Sequence, residues 1–169
     1  MAGLPGSGKS TIADAIGARL QTPVVSVDPI ESAILHAGID DDQPTGLAAY
    51  LVAEAIAEQV LAAGNGVIVD AVNAVLPARE QWVRLAERTG RRLRFIEVVC
   101  SDTEVHRDRL ETRGRNLPHL AEPTWNAVEQ SLDEYSAWDG VSAAAPRITL
   151  DSIEPLDVLV ERAVQFLTA

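Results

Sequence analysis

The chain has 169 residues, with 14 Lys plus Arg against 25 Asp plus Glu and a formal charge of −11. Hydrophobic residues make up 47%, which excludes a disordered chain, and the length suits one domain whose core needs neither disulfide nor metal. The acidic balance disfavours long nucleic acid as a partner, because a polyanion is gripped by a basic surface.

The first element is a loop. The opening MAGLPGSGKS carries Gly3, four residues, then Gly8, Lys9 and Ser10, the G-x-x-x-x-G-K-[ST] pattern of a phosphate-holding turn. Gly3, Gly6 and Gly8 permit backbone angles that a side chain would forbid, so amide N–H groups can converge on an anion. Lys9 adds a mobile positive charge for the outer phosphates, and the Ser10 hydroxyl suits magnesium. The candidate nucleotide-binding stretch is therefore Gly3, Leu4, Pro5, Gly6, Ser7, Gly8, Lys9, Ser10 and Thr11. A helix is predicted over Thr11 to Leu20, with Ile12, Ala15, Ile16 and Leu20 at helical spacing. Its N-terminus would add a favourable dipole.

Strands and helices then alternate. PVVSVD, Pro23 to Asp28, is a β-branched run ending in an acid. Ile30 to Ala37 and Gly46 to Ala63 read as helices, separated by the polar DDDQPT. Val67 to Asp70 is an apolar strand that also ends in an acid. Pro77 to Thr89 is a helix opened by proline, and Leu93 to Cys100 a strand. Asp102 caps a helix running to about Arg113. Gly114 to Pro123 is irregular, Thr124 to Trp138 helical, Arg147 to Leu150 a last strand and Leu156 to Leu167 a last helix. This alternation predicts an α/β domain, three layers around a parallel sheet, spanning 1–169 with a lid segment around 113–124. Ligands of such sheets bind beyond the carboxyl ends of the strands. Asp28, Asp70 and the phosphate loop all fall at that edge.

The acids divide the chemistry. Asp70 is expected to hold magnesium with Ser10; the alternative is a cap on the next turn, with Asn73 bonding locally. Asp28 before Pro29 fits a helix N-cap, and the same position fits a general base that takes a proton from an attacking hydroxyl. Arg107, Arg109, Arg113 and Arg115 crowd one stretch. Arg113 and Arg115 start the lid and are candidates to stabilise transferred phosphoryl charge, whereas Arg107 suits surface pairing. Trp125, Tyr135 and Trp138 read as packing residues. Cys100 is the single cysteine, and His36, His106 and His119 are dispersed, without zinc-ligand spacing. No apolar run approaches a membrane span and no secretory leader precedes the loop, so the expected compartment is the cytoplasm.

Together, Gly3 to Ser10, the acid of SVDPIE, the acid of GVIVDAVN and the arginines of HRDRLETRGR resemble the small phosphate-loop kinases. That group includes bacterial AAA-type ATPases, chloramphenicol phosphotransferase, gluconate kinase, adenylyl-sulfate kinase and polynucleotide kinase. The resemblance implies a P-loop NTPase sheet in the order 2-3-1-4-5, ATP and Mg2+ as cofactors, and γ-phosphoryl transfer to a hydroxyl of a small molecule. SVDPIE is similar to the stretch of chloramphenicol phosphotransferase that carries its catalytic aspartate, which favours Asp28 as base. It further implies that Arg113 packs on adenine, that Arg109 belongs to the nucleotide site, and that Asp151 to Glu154 line the adenine pocket.

Two other functions compete with a small-molecule kinase: an ATP-binding regulatory protein without phosphotransfer, and a polynucleotide 5′-kinase. The absence of an N-K-x-D element favours ATP over GTP, and the −11 charge disfavours the polynucleotide substrate. The acceptor and the oligomeric state are not legible. A strand of about 5–6 residues normally feeds a phosphate loop. Only Met1 and Ala2 precede Gly3 here, so the expectation is that further apolar residues stand before Met1 in the functional protein.

Overall fold

The computed structural model describes residues 1–114, 117–135 and 137–169. In chain order the elements are α1 (Lys9–Leu20), β1 (Val24–Ser26), α2 (Val27–His36), α3 (Thr45–Ala62), β2 (Ile68–Asp70), α4 (Leu76–Thr89), β3 (Phe95–Val99), α5 (Thr103–Thr112), α6 (Trp125–Glu134), β4 (Arg147–Asp151) and α7 (Leu156–Thr168). A single 3-10 turn, Gly140–Ala144, precedes β4. The strands are parallel. β1 pairs with β2 so that Ser26 lies opposite Asp70, and β3 pairs with β4 from Phe95↔Arg147 to Val99↔Asp151.

Residues 1–3 lie between these two pairs. Ala2 donates its N–H to Ile96 O and accepts from Val98 N, both at 2.8 Å. On the other side Met1 N donates to Val69 O at 2.6 Å and Gly3 N to Val72 O at 3.0 Å. Ala2 thus bonds to β3 on one side, while Met1 and Gly3 bond to β2 and the residues just after it on the other. Behind Met1 the space between β2 and β3 is an apolar cavity of about 130 Å³, walled by Val69, Trp82, Leu85 and Ile96.

Helices cover both faces. On one, Ile12, Ala13 and Ile16 of α1 pack with Leu159 and Ala163 of α7 over Ile96, Val98 and Leu150. Gly17 allows α1 to approach β1 closely, since a Cβ there would lie 2.7 Å from Val24 Cγ2. On the other face, Ala49, Ala53 and Ala57 of α3 pack with Val27, Trp82, Leu85 and Phe95. A third, smaller cluster joins Leu4 of the loop to Leu110, Trp125 and Val128.

The boundaries correct several expectations. Ser26 is extended (φ −96°, ψ 132°) and occupies the N-cap, so α2 starts at Val27 and Asp28 lies inside its first turn rather than capping it. α6 ends at Glu134, short of the expected Trp138. Trp138 instead stacks edge-on against Phe95, with ring centroids 4.9 Å apart, and donates to Glu97 Oε1. α3 is also more apolar than the sequence reading allowed: by length and composition its 18 residues suffice to cross a membrane, and 22% of them are buried. As expected, Asp102 caps α5, its Oδ1 accepting from Glu104 N and Val105 N.

Candidate active site

The phosphate loop is held from below and from one side. Gly3 has φ +144°, and a Cβ on it would fall 2.4 Å from Val98 O, so the turn out of the sheet accepts glycine only. Gly8, at φ 89°, is the left-handed N-cap of α1, which points the first amides of that helix into the loop. Leu4 is buried in the α5–α6 cluster. His106 is buried beside it, donates Nε2–H to Pro5 O at 2.8 Å, and meets Trp125 edge-on at 5.2 Å. In the sequence His106 is one of three dispersed histidines with no visible partner; here its partner lies 101 positions away.

Lys9 is 3% exposed, whereas Ser10 is half-buried and Thr11 exposed. In front of Gly6, Gly8 and Lys9 opens a cavity of about 630 Å³, also bounded by Arg109, Arg113 and Ser152. That is a volume typical of small-molecule sites. Arg109 grips the turn after β4: Nη1 donates to Ser152 Oγ at 2.7 Å and Nη2 to Ser152 O at 3.0 Å. Its fork therefore braces the 151–154 segment against the loop while its side chain borders the cavity. Arg113 ends α5 and pairs with Glu122. Arg107 pairs at the surface with Glu129 and lies over Trp125, 5.1 Å from the ring centroid. Arg115 lies outside the described residues.

The second half of the site sits at the ends of β1 and β2. Asp70 is 5% exposed; Oδ2 accepts from Ser26 Oγ at 3.1 Å, and the buried Oδ1 has no hydrogen-bond partner. Tyr50 of α3 accepts the Asn73 N–H on its hydroxyl at 3.0 Å. Burial pushes the Tyr50 phenol up to about 12, the Asn73 N–H opposes that, and Asp28, Asp70 and Glu31 add to it. These three carboxylates are therefore within electrostatic reach of one phenol. Glu31 is fixed by Thr45, whose Oγ1 donates to Oε1 at 2.8 Å. Pro118 and His119 lie against α2. Ser32 Oγ donates to Pro118 O at 2.7 Å, and His36 Nδ1 shares a hydrogen bond with His119 Nε2 at 3.1 Å.

Arg79 underlies this half, and the sequence reading did not single it out. It is fully buried, donates to Asn73 O at 2.8 Å, and to Ala74 O and Ala137 O at 3.0 Å. Its guanidinium lies 4.2 Å from the Trp138 ring centroid. Asn73, at φ 51°, is the hub above it, donating to Met1 O and accepting from Trp82 Nε1.

Among the described residues no three His, Cys, Asp or Glu side chains gather as a metal-binding group. That suits magnesium, which keeps several waters and takes one or two protein ligands plus substrate phosphates. The unpartnered Asp70 Oδ1 and the Ser10 hydroxyl are donors of the required hard type.

A glycine-rich turn between a parallel sheet and a helix N-terminus defines the class: an α/β P-loop fold. The AAA domain family matches residues 1–137, and the chain belongs to that family. Three solved structures show the same fold. A proposed kinase from Chloroflexus aurantiacus is 20% identical, with 98% of this chain and 95% of that one covered and a TM-score of 0.77. A sugar kinase from Janibacter sp. HTCC2649 is 22% identical over 99% and 91%, with a TM-score of 0.69. The APS kinase of Mycobacterium tuberculosis, solved with AMPPNP and APS, is 17% identical over 99% and 95%, with a TM-score of 0.67. No curated protein sequence matches the chain.

Proposed function

We propose that this protein transfers the γ-phosphoryl group of ATP to a hydroxyl of a small molecule. The observation that carries this reading is the phosphate loop opening on a cavity bordered by Lys9, Arg109 and Arg113, with the acids Asp28 and Asp70 in the elements at the next strand ends. The loop amides and Lys9 hold the phosphates. Ser10 and Asp70 would hold magnesium, which would supply neutralisation of the phosphate oxygens when bound. Asp28 takes the hydroxyl proton of the acceptor. The acceptor oxygen then bonds to the γ-phosphorus, the bond from that phosphorus to the β,γ-bridging oxygen breaks, and ADP leaves. Arg113, and Arg115 beyond it, stabilise the charge on the transferred group, and the segment 113–124 acts as a lid over α2. Arg109 holds the adenine-side wall through Ser152.

The acceptor side carries Asp28, Glu31 and Asp70 around Tyr50, while Arg79 is sealed beneath. Such a lining favours an uncharged or amine-bearing polyol and opposes a sugar acid. The test is ADP release with three acceptor sets: neutral polyols, amino sugars and sugar acids. Stimulation by either of the first two supports the reading. Stimulation by sugar acids alone overturns the acceptor class and keeps the kinase. Tight ATP binding with no stimulated turnover by any set supports the regulatory alternative.

A further inference from the structure

We propose that the outer face of α3 is a self-association surface, on which two copies of this chain pack their α3 helices antiparallel. Leu47 is 60% exposed, Leu51 55%, Val52 41% and Ile56 38%. These positions, with exposed Ala55 and Ala62, form one stripe opposite the buried Ala49, Ala53 and Ala57. Gln59 is the polar residue near its centre and Glu58 the charged one at its edge. In a chain of charge −11, a helix face turned to water and free of charge along its centre is a surface awaiting a partner. Glu54 flanks the stripe and Glu58 lies at its edge between Leu47 and Leu51; Arg88 of α4 pairs with both, at 2.6 and 3.0 Å, and leaves one negative charge there.

Charge at the helix ends selects the occupant. Asp40, Asp41 and Asp42 are exposed just before the N-terminus of α3. At the other end Arg91 donates to Leu61 O, so a cation marks the C-terminus. A parallel pairing would set the acidic ends against each other. An antiparallel pairing about a two-fold axis sets each acidic end against the Arg91 of the other copy, and it does so twice. A membrane surface fits less well, because the net charge of −11 opposes anionic headgroups. An 18-residue helix is about 27 Å long and 10–12 Å wide, so its footprint is about 300 Å² per copy. A standard interface uses about 800 Å² per partner, so the dimer is weak and reversible.

Sedimentation velocity of the full chain from about 5 to 500 µM tests this. The expected result is a sedimentation coefficient that rises with concentration toward the dimer value. Leu51→Glu, at an exposed position whose melting curve should match the parent, should hold the chain monomeric. Asp41→Arg or Arg91→Asp alone should weaken association severalfold, and the two together should restore it. A parent that stays monomeric throughout overturns the proposal, as does a dimer indifferent to Leu51→Glu or a double charge swap that fails to restore pairing. A monomer that cosediments with phosphatidylcholine vesicles through Leu51 assigns the face to lipid instead.

Discussion

The phosphate loop and the acceptor side meet at the ends of the same strands, yet they hold their geometry by different means. The loop is nine contiguous residues whose shape is set by backbone angles at Gly3, Gly6 and Gly8. Its outside supports are few: Val98 beneath Gly3, His106 on Pro5, and the α5–α6 pocket around Leu4. The acceptor side has no such motif. Asp28 and Glu31 come from α2, Tyr50 from α3, Asp70 from β2, and Asn73 and Arg79 from the following loop and α4. The difference teaches where each half tolerates change. The loop depends on chain conformation within one segment, whereas the acceptor side depends on side chains brought together over long separations, of which Asp28, Glu31 and Tyr50 can be altered without touching nucleotide binding.

The largest effect that would break this contrast is expected at Lys9. Lys9→Ala should lower turnover by about 10³–10⁵-fold, the range that an arginine finger, another cation on the transferred group, carries in phosphoryl transfer. It should also remove ATP–magnesium binding measured by calorimetry. Asp28→Asn should lower turnover by about 10²–10⁴-fold while ATP affinity stays at the parent value. Loss of ATP affinity in that variant would show that the two halves are not separable. Arg79→Met should cost about 3–5 kcal/mol of stability in a denaturant titration, because Asn73 O, Ala74 O and Ala137 O lose a charged donor. A cost below about 1 kcal/mol would show that the guanidinium does not organise the acceptor side.

A smaller effect sharpens the electrostatics. The chain has two tyrosines, Tyr50 and Tyr135, and burial pushes both phenols up to about 12. The unfolded phenol titrates near 10. Between pH 10 and 12 the unfolded state therefore releases its proton while the folded state keeps it, and stability falls as pH rises through that window. The Tyr50 share of this loss is about 2–3 kcal/mol. Tyr50→Phe should remove it and flatten the slope of stability against pH. Tyrosinate absorbance of the folded parent should show neither phenol ionising near 10.

Most of the nucleotide half was legible because its signal is local. Gly3 to Ser10 and the helix after them are read from adjacent residues, and Asp70 at the end of β2 from a short apolar run, whereas Asp28, expected at a strand end, lies in the first turn of α2. The rest was hidden for reasons that can be named. Asp28 reads as a cap because it precedes proline, but Ser26 ends β1 in an extended conformation and the helix begins two residues earlier than such a cap would allow. Trp138 looked helical by spacing, but its ring is drawn out to cover Phe95 and Arg79. Arg79 sits in LPARE, a stretch that reads as an ordinary helix start. Its burial follows from three carbonyls, one of which lies 58 residues away. His106 is likewise defined by a partner in the loop that no spacing rule connects to it.

The central claim, transfer rather than sensing, is tested most directly by following the γ-phosphoryl group itself. ATP labelled at that group is incubated with the parent chain, magnesium and pooled neutral polyols, amino sugars and sugar acids, and the labelled products are separated. The account predicts label in an organic phosphate monoester, formed by the parent and absent with Lys9→Ala. Label that stays in ATP, or appears as inorganic phosphate alone, would contradict it.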